Sequence, residues 1–270
     1  KMWIVNVGDI KPAEYDLEFF MDLAWNINSI QPNTISKHLT NWASREFNPS
    51  IAEDVNQVMN EYYRLAMLRK PEFMGWSQTE PTTTIKPSEF TTEEVKRRIE
   101  MYDALVEKIN QLSVAIPNER KDAWFQLVEY PVKAAAAMNE KFLHWQLSLE
   151  SNDAATKVKY QNLSKAAYQK IEELTQYYNT KLSNGKWNNM MSRTPRNLPV
   201  YNPIDYNNSQ KTEPPTEEAT GKSIAIQAKD FESKKGALNY DWKTIEGLGY
   251  SNAAMTLFPL KSCSFEKEKP

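Results

Sequence analysis

Three charged residues gather within six positions near the start of the chain, just after an asparagine. Asp9, Lys11 and Glu14 follow Asn6 around a glycine and a proline. A carboxylate in such a place can serve as a general acid or base. Structural ion pairs collect at the same kind of place, so two interpretations stay open for Asp9. It is a site residue, or it caps the following helix and pairs with Lys11.

The elements around these residues predict one β/α unit over residues 1–33. Residues 3–7 form a short apolar run that is typical of a strand buried on both faces. Gly8 permits a sharp turn, and from Ala13 onward apolar residues recur with the spacing of a helix. In barrels and open α/β sheets the carboxyl ends of the strands carry the chemistry, so this unit places Asp9 at a candidate site.

The next region, residues 34–191, predicts a domain of long helices joined mostly by short links, which is the pattern of an antiparallel bundle. Proline and capping residues punctuate the helical periodicity. The predicted helices cover about 34–47, 51–70, 91–113, 122–150 and 153–182. Pro131 lies inside the fourth of them and should kink or break it, because proline removes a backbone hydrogen bond.

The character of the sequence changes after the helices. Residues 192–221 are rich in Pro, Asn, Thr and Glu and are predicted to be a linker across a domain boundary. The last region, residues 222–270, contains short runs typical of β-strands at 223–228, 242–248 and 254–260.

The composition excludes several classes of function. Lys plus Arg number 33 and Asp plus Glu 35, so the net charge of -2 creates no bulk field for nucleic acid or an anionic membrane. The mean hydropathy is -0.68, and no apolar run reaches the roughly 18 residues that a membrane span needs. The single cysteine, Cys263, excludes an internal disulfide. His38 and His144 form no metal-binding motif, so no metal site and no cofactor are predicted.

Several segments of the chain resemble one family of enzymes. The string NVGDIKPAE at residues 6–14, followed by FFMDLAWN, resembles a motif of glycoside hydrolase family 115. Five further segments resemble this family in the same order along the chain: NWASREF (41–47), RKPEFMGW (69–76), DAWFQLVEYPVKAAA (122–136), NGKWNNMM (184–191) and PRNLPV (195–200). A co-linear series over about the first 200 residues is more specific than any single short motif.

The resemblance implies a fold and an activity. The expected fold is mainly α: the last β/α unit of a TIM-like barrel, an antiparallel helical bundle and the start of a C-terminal β-sandwich. Family members remove α-1,2-linked glucuronic acid or its 4-O-methyl form from xylan, with inversion of configuration. An inverting mechanism needs two carboxyl groups about 6.5–9.5 Å apart. Asp9 supplies only one of them, and the resemblance places other acids on earlier barrel strands.

The resemblance also suggests roles for the polar residues. Asp9 and Asn6 are the predicted catalytic residues: Asp9 is the catalytic base, an aide to it or a sugar-binding group, and Asn6 holds the water or a sugar hydroxyl. Lys11 is the nearest cation for the substrate carboxylate, and Glu14 and His38 are further predicted substrate contacts. His38 stands where family members often carry a tyrosine near the cleft. Each has a structural alternative: Asn6 satisfies a buried backbone group, Lys11 forms a solvated ion pair, and Glu14 favours the first turn of its helix.

These implications set the expectations for the whole protein. We expect this chain to be the C-terminal part of a larger secreted or periplasmic glycoside hydrolase, inactive alone, that acts on a xylan-type polysaccharide and forms a homodimer. No nucleic-acid or membrane partner is expected. The alternative is a non-catalytic helical interaction or dimerisation module. A different sugar specificity on the same scaffold also stays open.

Overall fold

The structure, a computed structural model, describes residues 4–7, 11, 13–75, 85–206, 228–235, 240–246 and 253–259. Most of them are helical. The helices are α1 (Glu14–Trp25), α2 (Ile35–Glu46), α3 (Ala52–Leu68), α4 (Thr92–Leu112), α5 (Lys121–Trp124), α6 (Tyr130–Glu150) and α7 (Ala154–Thr180), with a π-helical turn at Phe125–Glu129 between α5 and α6. Among these described helices, none is long and apolar enough to cross a membrane. The prediction of a mainly helical chain is confirmed.

Local sequence signals explain where these helices begin and end. At the start of α4, the Thr91 hydroxyl accepts a hydrogen bond from the Glu94 backbone, and the Glu94 carboxylate accepts one from the Thr91 backbone at 2.8 Å. This reciprocal capping box satisfies two backbone donors that the helix leaves free. At the start of α7, Asp153 accepts from the Thr156 backbone at 2.7 Å. Beyond its end the chain turns through Gly185, whose φ of 79° suits a residue without a side chain.

The break predicted at Pro131 takes the form of a π-helical turn. Pro131 is the second residue of α6, and the turn at Phe125–Glu129 comes directly before it. A π turn inserts one extra residue, which accommodates the proline without separating α5 from α6. The insertion also changes the direction in which the side chains of this turn point.

We call α2–α7 with the π turn the helical unit; α6 is its centre, and α7 and α4 pack against α6. Helices α4 and α6 are antiparallel, because Thr92 at the start of α4 bonds to Glu150 at the end of α6, whereas Arg98 further along α4 bonds to Asn139. Gly75 shows how tight this packing is, because a side chain there would come within 2.5 Å of the Phe142 ring. The chain therefore requires glycine where the RKPEFMGW segment passes over α6.

Residues 199–206 fold back onto this core. Val200 and Ile204 are buried against α6, although they fall inside the predicted linker at 192–221. Contacts along the chain divide it into two compact units, residues 1–63 with 69–212 and residues 64–68 with 213–270. The domain limits drawn from the sequence stay a prediction.

The strand half of the predicted β/α unit is not formed in this structure. Residues 4–7 have no regular secondary structure and Ile4 is 91% exposed, whereas α1 is formed as expected. A strand needs a neighbouring strand for its backbone hydrogen bonds, and the two-stranded sheet found in the described part of the chain does not include residues 4–7. Residues Trp25 and Met21 of α1 are also exposed, at 93% and 62%. The barrel unit itself stays a prediction.

Two short strands form near the end of the chain. Strand β1 (Asp241–Glu246) pairs with β2 (Ala253–Phe258) in an antiparallel register that sets Trp242 opposite Leu257. They correspond to two of the three predicted β-type runs. The third, 223–228, lies outside the described residues except for Ala228, and the β-sandwich stays a prediction.

A buried lysine holds the returning segment on α6. Lys141 is 1% exposed, and its ammonium group donates to the carbonyl oxygens of Val200 and Asn202 at 2.8 and 2.7 Å. The same group lies over the Phe142 and Tyr168 rings. Burial lowers the pKa of Lys141 to about 7, because transfer from water disfavours the charged form.

This pKa predicts how the stability of the chain changes with pH. The folded amine releases its proton near pH 7, whereas the unfolded amine keeps it up to about pH 10.5. Unfolding therefore takes up a proton in this window, and stability increases with pH. We expect the unfolding free energy of the parent to rise relative to that of Lys141→Met, by at most about 1.4 kcal/mol per pH unit. Urea denaturation of both proteins between these two pH values measures the difference, and a constant difference would contradict the assignment.

Candidate active site

The first residues of α1 carry an ion pair that belongs to the predicted site. Glu14 is the first residue of α1, and Ala13 before it provides no side-chain cap. The Lys11 ammonium group lies 2.5 Å from Glu14 Oε1, with side chains 20% and 28% exposed. The helix dipole favours an acid at this position. Lys11 and Glu14 therefore belong to one half-buried polar group.

A second donor reaches the same oxygen from a distant part of the chain. The side-chain amide of Gln126, which is 8% exposed on the π turn, donates a short hydrogen bond to Glu14 Oε1. Glu14 Oε2 is buried as well, and no described residue donates to it. The carboxylate is thus fixed by the helical unit and is not turned toward solvent.

Aromatic residues in the last turn of α7 and just after it complete this cluster. The Lys11 ammonium group lies 4.5 Å from the centre of the Trp187 ring, a geometry in which the ring face attracts the cation. Trp187 packs against the buried cluster that contains Tyr178. Burial, with the nearby charge of Glu14, raises the pKa of Tyr178. The Tyr178 hydroxyl finds no hydrogen-bond partner among the described residues.

The two predicted catalytic residues are placed less fully. Asn6 lies on the exposed stretch 4–7 and makes contacts of its own. Asp9 lies outside the described residues. The chain between them is short, so both stay within a few residues of Lys11. Their catalytic roles stay predictions.

His38 faces α1 from α2. Its Nε2 lies 2.9 Å from Asp22 Oδ2, its Nδ1 lies 3.4 Å from the Tyr15 hydroxyl, and its ring packs edge-on against Phe19 at 5.1 Å. The residues that His38 contacts run from Tyr15, next to Glu14, to Asp22, which is two helical turns along α1. Both ring nitrogens therefore have protein partners, and His38 joins the two helices.

One group of side chains has the composition of a cation site, although none was predicted from the sequence. Atoms of Glu18, Asp22 and His38 lie within 4.8 Å of one another. Two carboxylates and an imidazole suit a divalent ion such as zinc. However, the Arg45 guanidinium already pairs with Glu18 at 2.6 Å. The positive charge of Arg45 takes the place that a metal ion would take beside this carboxylate.

A cleft of about 170 Å³ opens beside the same end of α1. Its lining includes Tyr15 and Asp16 of α1, Tyr62 and Tyr63 of α3, and Pro131 of α6. Aromatic faces and a carboxylate can contact the apolar and hydroxyl groups of a polar ligand. The cleft shows that aromatic side chains are concentrated around the start of α1.

The sequence indicated the N-terminal members of this site and missed the others. Gln126, Tyr178 and Trp187 were not predicted, because side-chain pairing across more than a hundred residues has no local pattern. The only available signal was that Gln126 and Trp187 lie in DAWFQLVEYPVKAAA and NGKWNNMM, two of the segments that resemble the family.

Comparisons with known proteins agree with this resemblance. Residues 1–73 match the model of Glycosyl hydrolase family 115. A solved structure described as a novel family 115 4-O-methyl-α-glucuronidase, with specificity for decorated arabinogalactans, is 37% identical with a TM-score of 0.71. The match covers 94% of this chain and 32% of that chain, so this chain spans about a third of its relative. No curated protein sequence matches significantly.

The family match at residues 1–73 includes Lys11 and Glu14 of the polar cluster, and the structural match extends over nearly the whole helical unit. The identity of 37% over 94% of the chain is far above the level at which only the fold would be shared. The two comparisons therefore confirm the resemblance of this chain to glycoside hydrolase family 115.

Proposed function

We propose that the whole protein is an α-glucuronidase that releases glucuronic acid or its 4-O-methyl ether from a plant polysaccharide. The main support for this proposal is the structural match, which covers 94% of this chain at 37% identity to a 4-O-methyl-α-glucuronidase. The polar cluster around Lys11 and Glu14 supports the proposal, because it sets a cation beside the segment that contains Asn6 and Asp9.

The proposed mechanism is inverting and divides the work between two carboxyl groups. One protonates the leaving oxygen, while the other activates water from the opposite face of the sugar. In this proposal Asp9 is one of the two, and the second comes from a part of the enzyme outside this chain. Asn6 holds the water or a sugar hydroxyl, since an amide both donates and accepts hydrogen bonds.

Lys11 is the proposed partner of the substrate carboxylate. Its ammonium group has three N–H donors, and Glu14 Oε1 uses one of them. Within the described part of the chain this ammonium group has no other hydrogen-bond acceptor, and in this proposal its other donors bind the anionic sugar. The substrate contacts predicted for Glu14 and His38 are proposals too, and they require these side chains to reach past the partners described above.

The exposed apolar residues support a larger catalytic unit. Ile4, Val5 and Val7 are 91%, 46% and 39% exposed, and Trp25 of α1 is 93% exposed. Large exposed apolar surfaces usually mark contact sites. In the proposed enzyme, the other strands of the barrel cover these residues and pair with 4–7.

The substrate class follows from the shared group. The relative is specific for decorated arabinogalactans, and the family resemblance indicates xylan. In this proposal, both polymers carry an α-linked glucuronic acid that the enzyme removes. A polymer substrate favours a secreted or periplasmic enzyme. The homodimer stays a proposal as well.

Activity of the full-length enzyme tests the proposed function. It should release uronic acid from glucuronoxylan or from glucuronate-decorated arabinogalactan, measured by chromatography of the products. Proton NMR early in the reaction should show the inverted anomer. The 270-residue chain alone should release none, because one carboxylate cannot complete an inverting mechanism. A full-length enzyme that releases no uronic acid from either polymer would refute the proposal.

Replacing Asp9 should mainly slow the reaction. In the full-length enzyme, we expect Asp9→Asn to lower kcat by about 10²–10⁴-fold, the usual loss when a general acid or base is removed. KM should change much less, because the charge matters most in the transition state. Asp54→Asn is a matched control, since Asp54 pairs with Lys108 on the helical unit. A folded Asp9→Asn enzyme within about threefold of the parent rate would show that Asp9 is structural.

Replacing Lys11 should mainly weaken binding. We expect Lys11→Ala to raise KM for glucuronides by about tenfold, because the substrate carboxylate loses a charged hydrogen-bond donor. Neutral glycosides of similar shape should be bound equally by both enzymes. Steady-state kinetics on both kinds of substrate make the comparison. An equal change in KM for charged and neutral substrates would contradict a role in binding the carboxylate.

A further inference from the structure

We propose that Glu14 is a positioning residue, which holds the Lys11 ammonium group in place by joining it to the helical unit. This inference rests on the proposed function, because it concerns the cation that binds the uronate carboxylate. It assigns Glu14 a role through Lys11 and makes no contact between Glu14 and the sugar necessary.

Glu14 connects Lys11 to the helical unit through one shared carboxylate oxygen. Glu14 Oε1 accepts from both Lys11 and Gln126. Gln126 is almost completely buried on the π turn, so its amide has a fixed direction. The orientation of the carboxylate is therefore set by the helical unit, and Lys11 follows that orientation.

The geometry of the π turn affects the direction of the Gln126 side chain. One extra residue in this turn rotates the following side chains relative to a continuous α-helix. Gln126 lies within Phe125–Glu129, where this rotation occurs. The turn before Pro131 thus carries Gln126, whose side-chain amide reaches Glu14 of α1. Turns of this kind are often found at functional sites.

An aromatic ring supports Lys11 from its other side. The Trp187 ring lies 4.5 Å from the Lys11 ammonium group, and Trp187 packs against the buried cluster around Tyr178. The ammonium group is thus confined between a carboxylate and an aromatic face. A long lysine side chain loses most of its freedom in such a place, which prepares its remaining donors for a ligand.

A plain surface ion pair would look different. In such a pair both carboxylate oxygens are solvated, and the interaction contributes little. Here Glu14 Oε2 is buried, and no described residue donates to it. Burial of a charged oxygen is costly unless the group has a purpose or a further partner. The cost is consistent with a residue retained to orient Lys11.

Epistasis in the full-length enzyme tests this role. We expect Glu14→Gln to raise KM for a glucuronide by about tenfold, with kcat changed by less than about threefold, because a charged hydrogen bond to Lys11 is lost. The double variant Glu14→Gln with Lys11→Ala should have the KM of Lys11→Ala alone within about twofold, since residues acting through one another are not additive. A purely structural role would make the two effects multiply, which would overturn the proposal.

Matched variants separate this role from a general loss of charge or of folding. Glu18→Gln removes another acid of α1, which pairs with Arg45 at 2.6 Å, and should leave KM unchanged. Gln126→Met keeps Glu14 and removes only its buried donor, so it should raise KM in the same direction. If Glu14→Gln does not fold, Gln126→Met decides the question. An unchanged KM in a folded Glu14→Gln or Gln126→Met enzyme overturns the proposal.

A second measurement separates this inference from the proposed function. If the full-length enzyme releases no uronic acid, the proposed function is refuted. Hydrogen–deuterium exchange can still test whether Glu14 positions Lys11. Peptides that cover residues 4–13 should exchange faster in full-length Glu14→Gln than in Glu18→Gln, because only the first variant frees Lys11. Equal exchange in the two variants would overturn the positioning role whatever the activity.

Discussion

The hydrogen bonds that meet at Glu14 Oε1 connect the two parts of the chain on which the proposed chemistry depends. Lys11 belongs to the segment that also contains the predicted catalytic residues, and Gln126 belongs to the helical unit. The two donors are separated by more than a hundred residues along the chain. Because one oxygen accepts both bonds, a shift of the π turn moves Glu14, and a shift of Glu14 moves Lys11. The helical unit thus acts as a support for a site to which it contributes few groups of its own.

The same principle appears deeper in the helical unit, where buried cations use carbonyl oxygens as partners. Lys141 binds the carbonyls of Val200 and Asn202, and Arg98 binds the Asn139 side chain and the Arg69 carbonyl. Each of these side chains fastens an irregular segment to α4 or α6. Burial of a cation costs free energy unless its donors are satisfied, so these positions tolerate little change.

The sequence predicts local features of this fold better than distant ones. Helices follow from the spacing of apolar residues and from caps such as Thr91 and Asp153, because these signals lie within one or two turns. The irregularity at Pro131 was foreseen for the same reason, although its π form was not. The strand at residues 3–7 depends on neighbouring strands, and residues 4–7 do not form it here. Trp187 and Gln126 escaped prediction because a contact between distant segments leaves no periodic pattern.

The most direct test is an experimental structure of the full-length enzyme with glucuronic acid bound. In that structure, Lys11 should lie within hydrogen-bond distance of both Glu14 Oε1 and the uronate carboxylate. Gln126 should keep its bond to Glu14, and residues 4–7 should pair as a strand of the catalytic barrel. A structure in which the uronate binds far from Lys11, with Glu14 and Gln126 apart, would contradict the account.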